Sequence, residues 1–335
     1  MSVVTVLAAV RRTLVVLRDA TLTVIALPVL LPLWFLPWPM AVRLGRFYGA
    51  AVYAVWSKGR RVGMINLRRA KGMVLSRRAA RDAVREVFAN LGQSVAEGIQ
   101  FSRRFKNEPH RAKALYECED PDLQRRLLAD PRPRIFVTGH LGSWELATTI
   151  AAIDSGRPGA VIVRRVDNPF LNALWRRIRM LRQTEFIDKR GAAGEALTRL
   201  RRGEDVAMLV DENGGARGVF VPFFGTLAST SKTPAVLSLA TGAPVIVGVC
   251  VRRANRPFLF RLAMLEPHRS LTPDQAIRDL TARIVTTFES WIRDAPLQWR
   301  WIHWRWKARP DGTEESYGRG ELRAVFEERA LIPHA

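Results

Sequence analysis

The sequence predicts an α/β fold, with a mixed, mostly parallel central sheet flanked by helices and preceded by an N-terminal hydrophobic, membrane-anchoring helical segment. Two observations carry that expectation. Between residues 134 and 294 short β-branched runs alternate with apolar-periodic stretches of about ten residues or more, the rhythm of strands joined by crossover helices. Near the N-terminus, the 23 positions from Ala20 to Val42 carry no charge, long enough to cross a bilayer as a helix. A chain of 335 residues can also bury a substantial core.

Taken in order, the apolar stretch is interrupted by Pro28, Pro32, Pro37 and Pro39, and an interior proline costs a helix roughly 3 kcal/mol. Trp34 and Trp38 stand where amphipathic rings meet a lipid–water interface. Arg11, Arg12 and Arg18 flank it on one side, Arg43 and Arg46 on the other. A single span and a bent, shallowly inserted or re-entrant segment both fit, and no small-residue cleavage site follows closely. Residues 44–72 mix apolar and basic side chains and are expected to form an amphipathic helix at an interface, so that 1–72 make one membrane-attached unit. Ser76 is a cap candidate for a helix running to about Phe101, and a short helix is expected around Leu123–Leu128. Strands are expected at Ile135–Thr138, Ala160–Val163, Thr184–Ile187, Val206–Val210, Val219–Phe223, Val245–Val251 and Phe258–Leu262. Helices are expected at Trp144–Asp154, Pro169–Leu181, Gly191–Arg201, Thr233–Thr241 and Pro273–Asp294. Residues 73–310 then form the main domain, and 311–335 a charged tail with a short helix at Glu321–Ala330.

The formal net charge is +22, and 46 of the 53 basic residues are arginine. Such a surplus suits an anionic partner: nucleic acid, an acidic membrane surface or a phosphorylated lipid. Cys118 and Cys250 form no C-x-x-C pair, so neither a disulfide framework nor a zinc site is expected. No serine sits in a G-x-S-x-G turn and no cysteine adjoins a histidine, so no covalent acyl-enzyme is indicated.

The most informative segment is Arg134-Ile-Phe-Val-Thr-Gly-His-Leu-Gly-Ser-Trp-Glu145. A β-branched run ends at Gly139, His140 follows, and Glu145 lies five positions on, at the start of a helical pattern. A histidine at a strand-to-helix turn with a carboxylate one turn into the helix can serve as a general base with an orienting partner. It can equally be a structural residue capping the helix. Five positions is not helical i, i+4 spacing, so the two can meet only if His140 lies off the helix, in a turn that Gly139 and Gly142 make feasible.

With these residues in view, the turn Gly139-His140-Leu141-Gly142-Ser143-Trp144-Glu145 resembles the H-x4-D/E signature of the lipid A biosynthesis late acyltransferases. Three further blocks resemble that family in order: Arg164-Arg165-Val166-Asp167-Asn168-Pro169 with Arg179 behind it, then Asp211-Glu212 followed by Val219–Gly225, then Gln298–Pro310. Glu212 departs from the family's usual glutamine, and Lys232 stands where small residues are common. The resemblance implies acyl transfer from an acyl carrier protein thioester to a hydroxyl of an anionic glycolipid, a lipid A precursor, without cofactor or metal. It implies a His140/Glu145 dyad as general base, and a bacterial inner-membrane location with the catalytic domain on the cytoplasmic face.

Arg164 and Arg165 end a strand on the edge where His140 ends its own, and guanidinium forks suit phosphate; either could be the family's arginine. Asp211, also at a strand end, could orient an arginine or an acceptor hydroxyl, or cap a turn. Glu212 and Arg179 are further acceptor-binding candidates. Ser229, before the helix at Thr233, and Lys232 could hold an anion at that helix N-terminus or merely cap it. Trp299, Trp301, Trp304 and Trp306 alternate with basic residues, a pattern for packing, for a lipid interface or for stacking on single-stranded nucleic acid. His303 reads as structural rather than as a second base. Two other functions stay open on sequence: the same chemistry on a phosphatidylinositol mannoside or ornithine-type lipid, and a basic protein that only binds nucleic acid or membrane. Nucleic acid is not the expected partner.

Overall fold

The computed structural model describes residues 3–73, 76–105, 107–179, 184–189, 191–254 and 257–327. Four helices lead: α1 (Val3–Phe35), α2 (Trp38–Val55), α3 (Ser57–Arg69) and α4 (Arg77–Phe105). There follow β1 (Tyr116–Cys118), α5 (Pro121–Ala129), β2 (Ile135–Thr138), α6 (Trp144–Ser155), β3 (Gly159–Val163), α7 (Pro169–Arg179), β4 (Thr184–Asp188), α8 (Ala192–Arg201) and β5 (Asp205–Leu209). The chain continues through β6 (Val219–Phe223), β7 (Thr226–Thr230), α9 (Thr233–Thr241), β8 (Val245–Val251), β9 (Phe258–Leu265), α10 (Pro273–Asp294) and α11 (Arg319–Glu327).

Among the described residues, seven strands form one sheet in the order β1-β9-β8-β2-β5-β3-β4. Five neighbouring strands, β8 to β4 along that order, run parallel, while β9 is antiparallel to β8 and parallel to β1. Every residue of β2 and of β8 is buried, as strands covered by helices on both faces must be. Alternation divides them between two cores. Ile135 and Val137 join Val206, Met208, Val245 and Val247 in the core that includes Ala196 of α8, Ala235 of α9 and Ile284 of α10. Phe136, Ala207 and Ile246 face the other way, onto Leu146, Ala147 and Ile150 of α6. The expected mixed, mostly parallel sheet is what the chain forms.

Two expected elements take a different form. Val219–Phe223 does not join the sheet; as β6 it pairs only with β7, in a separate antiparallel hairpin. Residues 44–72 are not one interfacial helix: the chain breaks at Trp56, and α3 is largely buried. The reason lies in the glycines. A Cβ at Gly49 would sit 2.1 Å from the Phe88 carbonyl oxygen, and one at Gly92 would sit 2.0 Å from that of Gly45. These bare positions let α2 and α4 approach backbone to backbone, so α2 turns its glycine face to protein.

The charge-free stretch is also divided. Pro28 and Pro32 lie inside α1, whereas Pro37 caps α2 and Pro39 lies in its first turn. Among the described residues, one segment is long and apolar enough to cross a membrane, Arg18–Phe35, of which only 11% is buried. Near its start Asn168 Nδ2 donates to the Asp19 carbonyl (2.7 Å), and near its end Gln100 Nε2 donates to that of Leu33 (2.6 Å). The expected Ser76 cap is made, its Oγ accepting from the Ala79 amide (3.2 Å), and α10 starts with a reciprocal Thr272/Gln275 box. At the far end α11 folds back onto α3, with the Arg68 guanidinium 5.3 Å from the Phe326 ring centre. The tail beyond residue 327 lies outside the described residues.

Candidate active site

The site grows from the end of β2. Gly139 and His140 follow its last residue, and β2 pairs in parallel with β5, setting Thr138 opposite Leu209. That register carries Asp211 up beside His140. The His140 backbone N–H donates to Asp211 Oδ2 (2.7 Å), and Nδ1 of its ring lies 2.9 Å from Oδ1. A carboxylate only accepts, so Nδ1 carries a proton, and in the neutral ring Nε2 keeps its lone pair. Among the described residues Nε2 has no hydrogen-bond partner. Gly139 makes the approach possible, since a Cβ there would stand 3.0 Å from both Cβ and Cγ of Asp211.

Asp211 is buried and receives a third donor, Trp299 Nε1 at 2.9 Å. Burial alone would push this carboxyl up. The imidazolium charge available at His140, the hydrogen bonds from that residue and the Arg300 guanidinium outweigh it, holding Asp211 well below the usual carboxylate range. The loop after His140 is fastened equally firmly. Gly142 has φ +64°, and a Cβ there would lie 2.1 Å from the Cys250 carbonyl oxygen. The Gly142 amide donates to Gln298 O (3.1 Å), the Arg300 amide to His140 O (3.1 Å) and the Ser143 amide to Cys250 O (2.8 Å).

Glu145 lies in the first turn of α6, where its Oε1 accepts from Trp144 Nε1 at 3.0 Å. The Trp144 ring centre stands 5.2 Å from that of His140. The residue holding Nδ1 of His140 is thus Asp211, 71 positions along the chain, where sequence spacing had suggested Glu145 as the tautomer-fixing partner. The sequence alone allows Asp211 to orient an arginine or an acceptor hydroxyl or to cap a turn; its side chain instead serves His140 and Trp299.

Arg164 and Arg165 follow β3, on the same edge and two strands from β2; at ~4.8 Å per strand that places them about 10 Å from His140. Both are exposed and, among the described residues, unpaired. Arg179 closes α7, and its side chain lies outside the described residues. Glu212 is ion-paired with Arg300 and stands 3.9 Å from Lys189. Burial works against its charge, but Arg300 prevails and keeps the carboxyl below its ordinary range.

Ser229 and Lys232 do not join this cluster as an anion site. Ser229 is buried, its hydroxyl donating to the Gly215 carbonyl (2.6 Å). Lys232 is exposed beside a crevice of about 340 Å³ that it lines with Asp274 and Arg278. Behind Glu212, Arg305 is wholly buried, bound to the carbonyls of Glu212 (3.2 Å) and Ser229 and to Thr230 Oγ1 (2.6 Å). Burial lowers its guanidinium to about 10.

The tryptophan block is interior scaffolding. Trp299, Trp301 and Trp306 are at most 2% exposed, so these rings cannot stack on nucleic-acid bases. Their faces meet Phe223 and Phe224 of the hairpin, with Trp306 stacked on Phe223 at 5.6 Å and Trp301 5.4 Å from Phe224. Cys250 is buried, and burial pushes its thiol far up, which makes it inert. Among the described residues, no cluster of three or more His, Cys, Asp or Glu side chains could hold a metal ion.

His303 is structural in its geometry: Nε2 accepts from the Asn213 amide at 2.8 Å. Burial holds its ring at about 4, so it folds neutral. Between pH 6.5 and 4 the unfolded chain takes up a proton that the folded chain refuses. Stability is therefore full above pH 6.5 and declines as pH falls through that window, by roughly 1–2 kcal/mol at pH 5. Chemical-denaturation midpoints should show that decline, and His303→Gln should flatten it; an unchanged slope would show that His303 does not set it.

Residues 10–308 match the sequence model of a family described as Bacterial lipid A biosynthesis acyltransferase. Over 292 residues the chain is 26% identical to the lipid A biosynthesis palmitoleoyltransferase of Escherichia coli (strain K12), covering 85% of this chain and 91% of that protein. The lipid A biosynthesis acyltransferase of Shigella flexneri is similar to the same extent. The lipid A biosynthesis lauroyltransferase of Escherichia coli (strain K12) is 30% identical over 163 residues, 48% of this chain and 52% of that protein, so that alignment spans about half the length of this relative. A match running from within α1 to the end of the tryptophan block takes in the sheet, the His140 turn and everything that braces it, and the chain belongs to the bacterial lipid A biosynthesis acyltransferase family, as one of its enzymes.

Proposed function

We propose that the protein is a membrane-attached O-acyltransferase that moves a fatty acyl chain from the thioester of acyl carrier protein directly to a hydroxyl of a lipid A precursor. The observation that carries this reading is the His140–Asp211 pair, on a sheet edge that also holds, two strands away, two arginines with no partner among the described residues. Lipid A precursors combine a reacting hydroxyl with anionic phosphate, and those two needs map onto the two halves of the edge. Arg18–Phe35 supplies the membrane attachment, with the catalytic domain on the cytoplasmic face of the bacterial inner membrane.

In this mechanism Nε2 of His140 removes the acceptor hydroxyl proton as the oxygen attacks the thioester carbonyl. Asp211 keeps the proton on Nδ1 and stabilises the imidazolium that forms. When the tetrahedral intermediate collapses, the carbon–sulfur bond breaks and the proton passes from Nε2 to the departing thiolate. No protein nucleophile is acylated. Glu145 acts beside the pair: it holds the Trp144 indole against the imidazole ring and adds negative charge near it. Arg164 and Arg165 bind phosphate of the acceptor.

The direct test is to incubate the full-length protein in bilayers with acyl carrier protein thioester and a phosphorylated lipid A precursor. Mass spectrometry should show the precursor gaining one ester-linked acyl chain, with one free carrier thiol released per ester. Acylation confined to a different lipid, or thiol release without ester formation, would overturn the reading.

A further inference from the structure

A groove of about 430 Å³ runs between α1 and α7. Its walls are mostly apolar; Leu22, Ile25 and Val29 line it from α1, Leu171 and Leu174 from α7, and Val166 from the loop between β3 and α7. Leu22, Ile25 and Val29 are 49%, 63% and 44% exposed, so the groove opens along the outward surface of Arg18–Phe35, the segment that among the described residues is fit to cross a bilayer. At its other end Val166 adjoins Arg164 and Arg165.

One side chain sets the width of this groove. Asn168 Oδ1 accepts the amides of Phe170 and Leu171 (both 3.0 Å), capping α7, and the Thr23 hydroxyl of α1 (3.3 Å). Its Nδ2 donates to the Asp19 carbonyl of α1 (2.7 Å). Asn168 and Asp19 are both buried. The groove therefore has a fixed spacing before any ligand arrives, with a polar clasp at the end nearest the arginines.

We infer that this groove holds a fatty acyl chain already present on the acceptor lipid, while the phosphate of the same molecule sits at Arg164 and Arg165. The inference rests on the lipid-acceptor reading above. A chain lying in the bilayer can enter sideways past Ile25 and Val29 without crossing water. Its head then meets the guanidinium pair at Val166, and its hydroxyl faces the sheet edge toward His140. The donor chain arrives instead tethered to a soluble carrier.

Two measurements on the full-length, membrane-reconstituted protein test this. Ala26, which also lines the groove, is replaced by tryptophan to fill it. Each buried methylene contributes a factor of about four to affinity, so displacing two exceeds tenfold. Ala26→Trp should raise the acceptor KM at least about tenfold, with kcat, donor KM and the ranking of donor chain lengths unchanged. An unchanged acceptor KM, or a shift toward shorter donor chains, would overturn the assignment. On the wild-type protein, an acceptor with a photoreactive group on an existing acyl chain should crosslink to peptides covering 22–30 and 166–175. Unlabelled acceptor should compete, and excess phosphatidylethanolamine should not. Crosslinks that any phospholipid abolishes would reduce the groove to general lipid contact and overturn the inference. Because crosslinking needs no turnover, it reads the groove separately from any failure of acyl transfer.

Discussion

His140→Ala lowers kcat by about 10²–10⁴, the range a general base contributes, while the protein still folds and remains bound to membranes. The fold is retained because the supports of this turn run through backbone atoms: the amide of residue 140 bonds Asp211, and its carbonyl receives the Arg300 amide. Both remain when the ring is removed. Single-turnover transfer together with circular dichroism and flotation on vesicles checks the two halves of the expectation. Undiminished transfer would remove His140 from the chemistry.

Asp211→Asn is expected to be nearly as damaging, about 10³–10⁴ in kcat, through proton placement rather than loss of shape. Three donors converge on the carboxylate, from the His140 amide, the His140 ring and the Trp299 indole. An amide offers one oxygen and one NH₂ in their place. Its NH₂ facing the ring would draw the lone pair of Nδ1 toward it and move the ring proton to Nε2, where it blocks base catalysis. The serine protease triad loses about 10⁴ to the same exchange. Glu145→Gln should cost far less, because a glutamine oxygen can still accept the Trp144 indole. Comparing the two variants at saturating substrates, with the ring tautomer read by ¹⁵N NMR, separates these roles. Equal losses with Nδ1 still protonated in Asp211→Asn would overturn this division of labour.

His140 itself was legible because all its signals are local: a β-branched run, a glycine and a helical pattern within twelve residues. Six of the seven sheet strands were legible for the same reason; the three-residue edge strand β1 was not, being too short to show a pattern. Asp211 as the partner was not, because β2 and β5 are neighbours in space while β3 and β4 lie between them in sequence. Proximity in sequence favoured Glu145, and only the strand order brings Asp211 to the ring. The β6–β7 hairpin was half legible: Val219–Phe223 reads as a strand, but Thr226–Thr230 mixes small and polar side chains with no apolar alternation. Residues 44–72 misled for a related reason. Apolar and basic residues there suggested lipid, while the decisive signal was the spacing of Gly45 and Gly49, which marks a helix–helix contact. Pro28 and Pro32, expected to bend or break the first helix, are accommodated within α1. A helix near lipid can carry prolines where its neighbours resatisfy the freed carbonyls.

The bracing of the His140 turn by Gln298, Trp299 and Arg300 has a consequence for biosynthesis. The bonds that fix His140 reach forward 71 residues to Asp211, and the Trp299–Asp211 bond adds a further 88. Contacts so distant form late, because the long loops between them must close first. A ribosome that has released the hydrophobic N-terminus and the whole of β2 still holds a chain whose histidine has no acid beside it and no tryptophan behind it. The cluster around His140 is therefore complete only after residue 300 has left the exit tunnel.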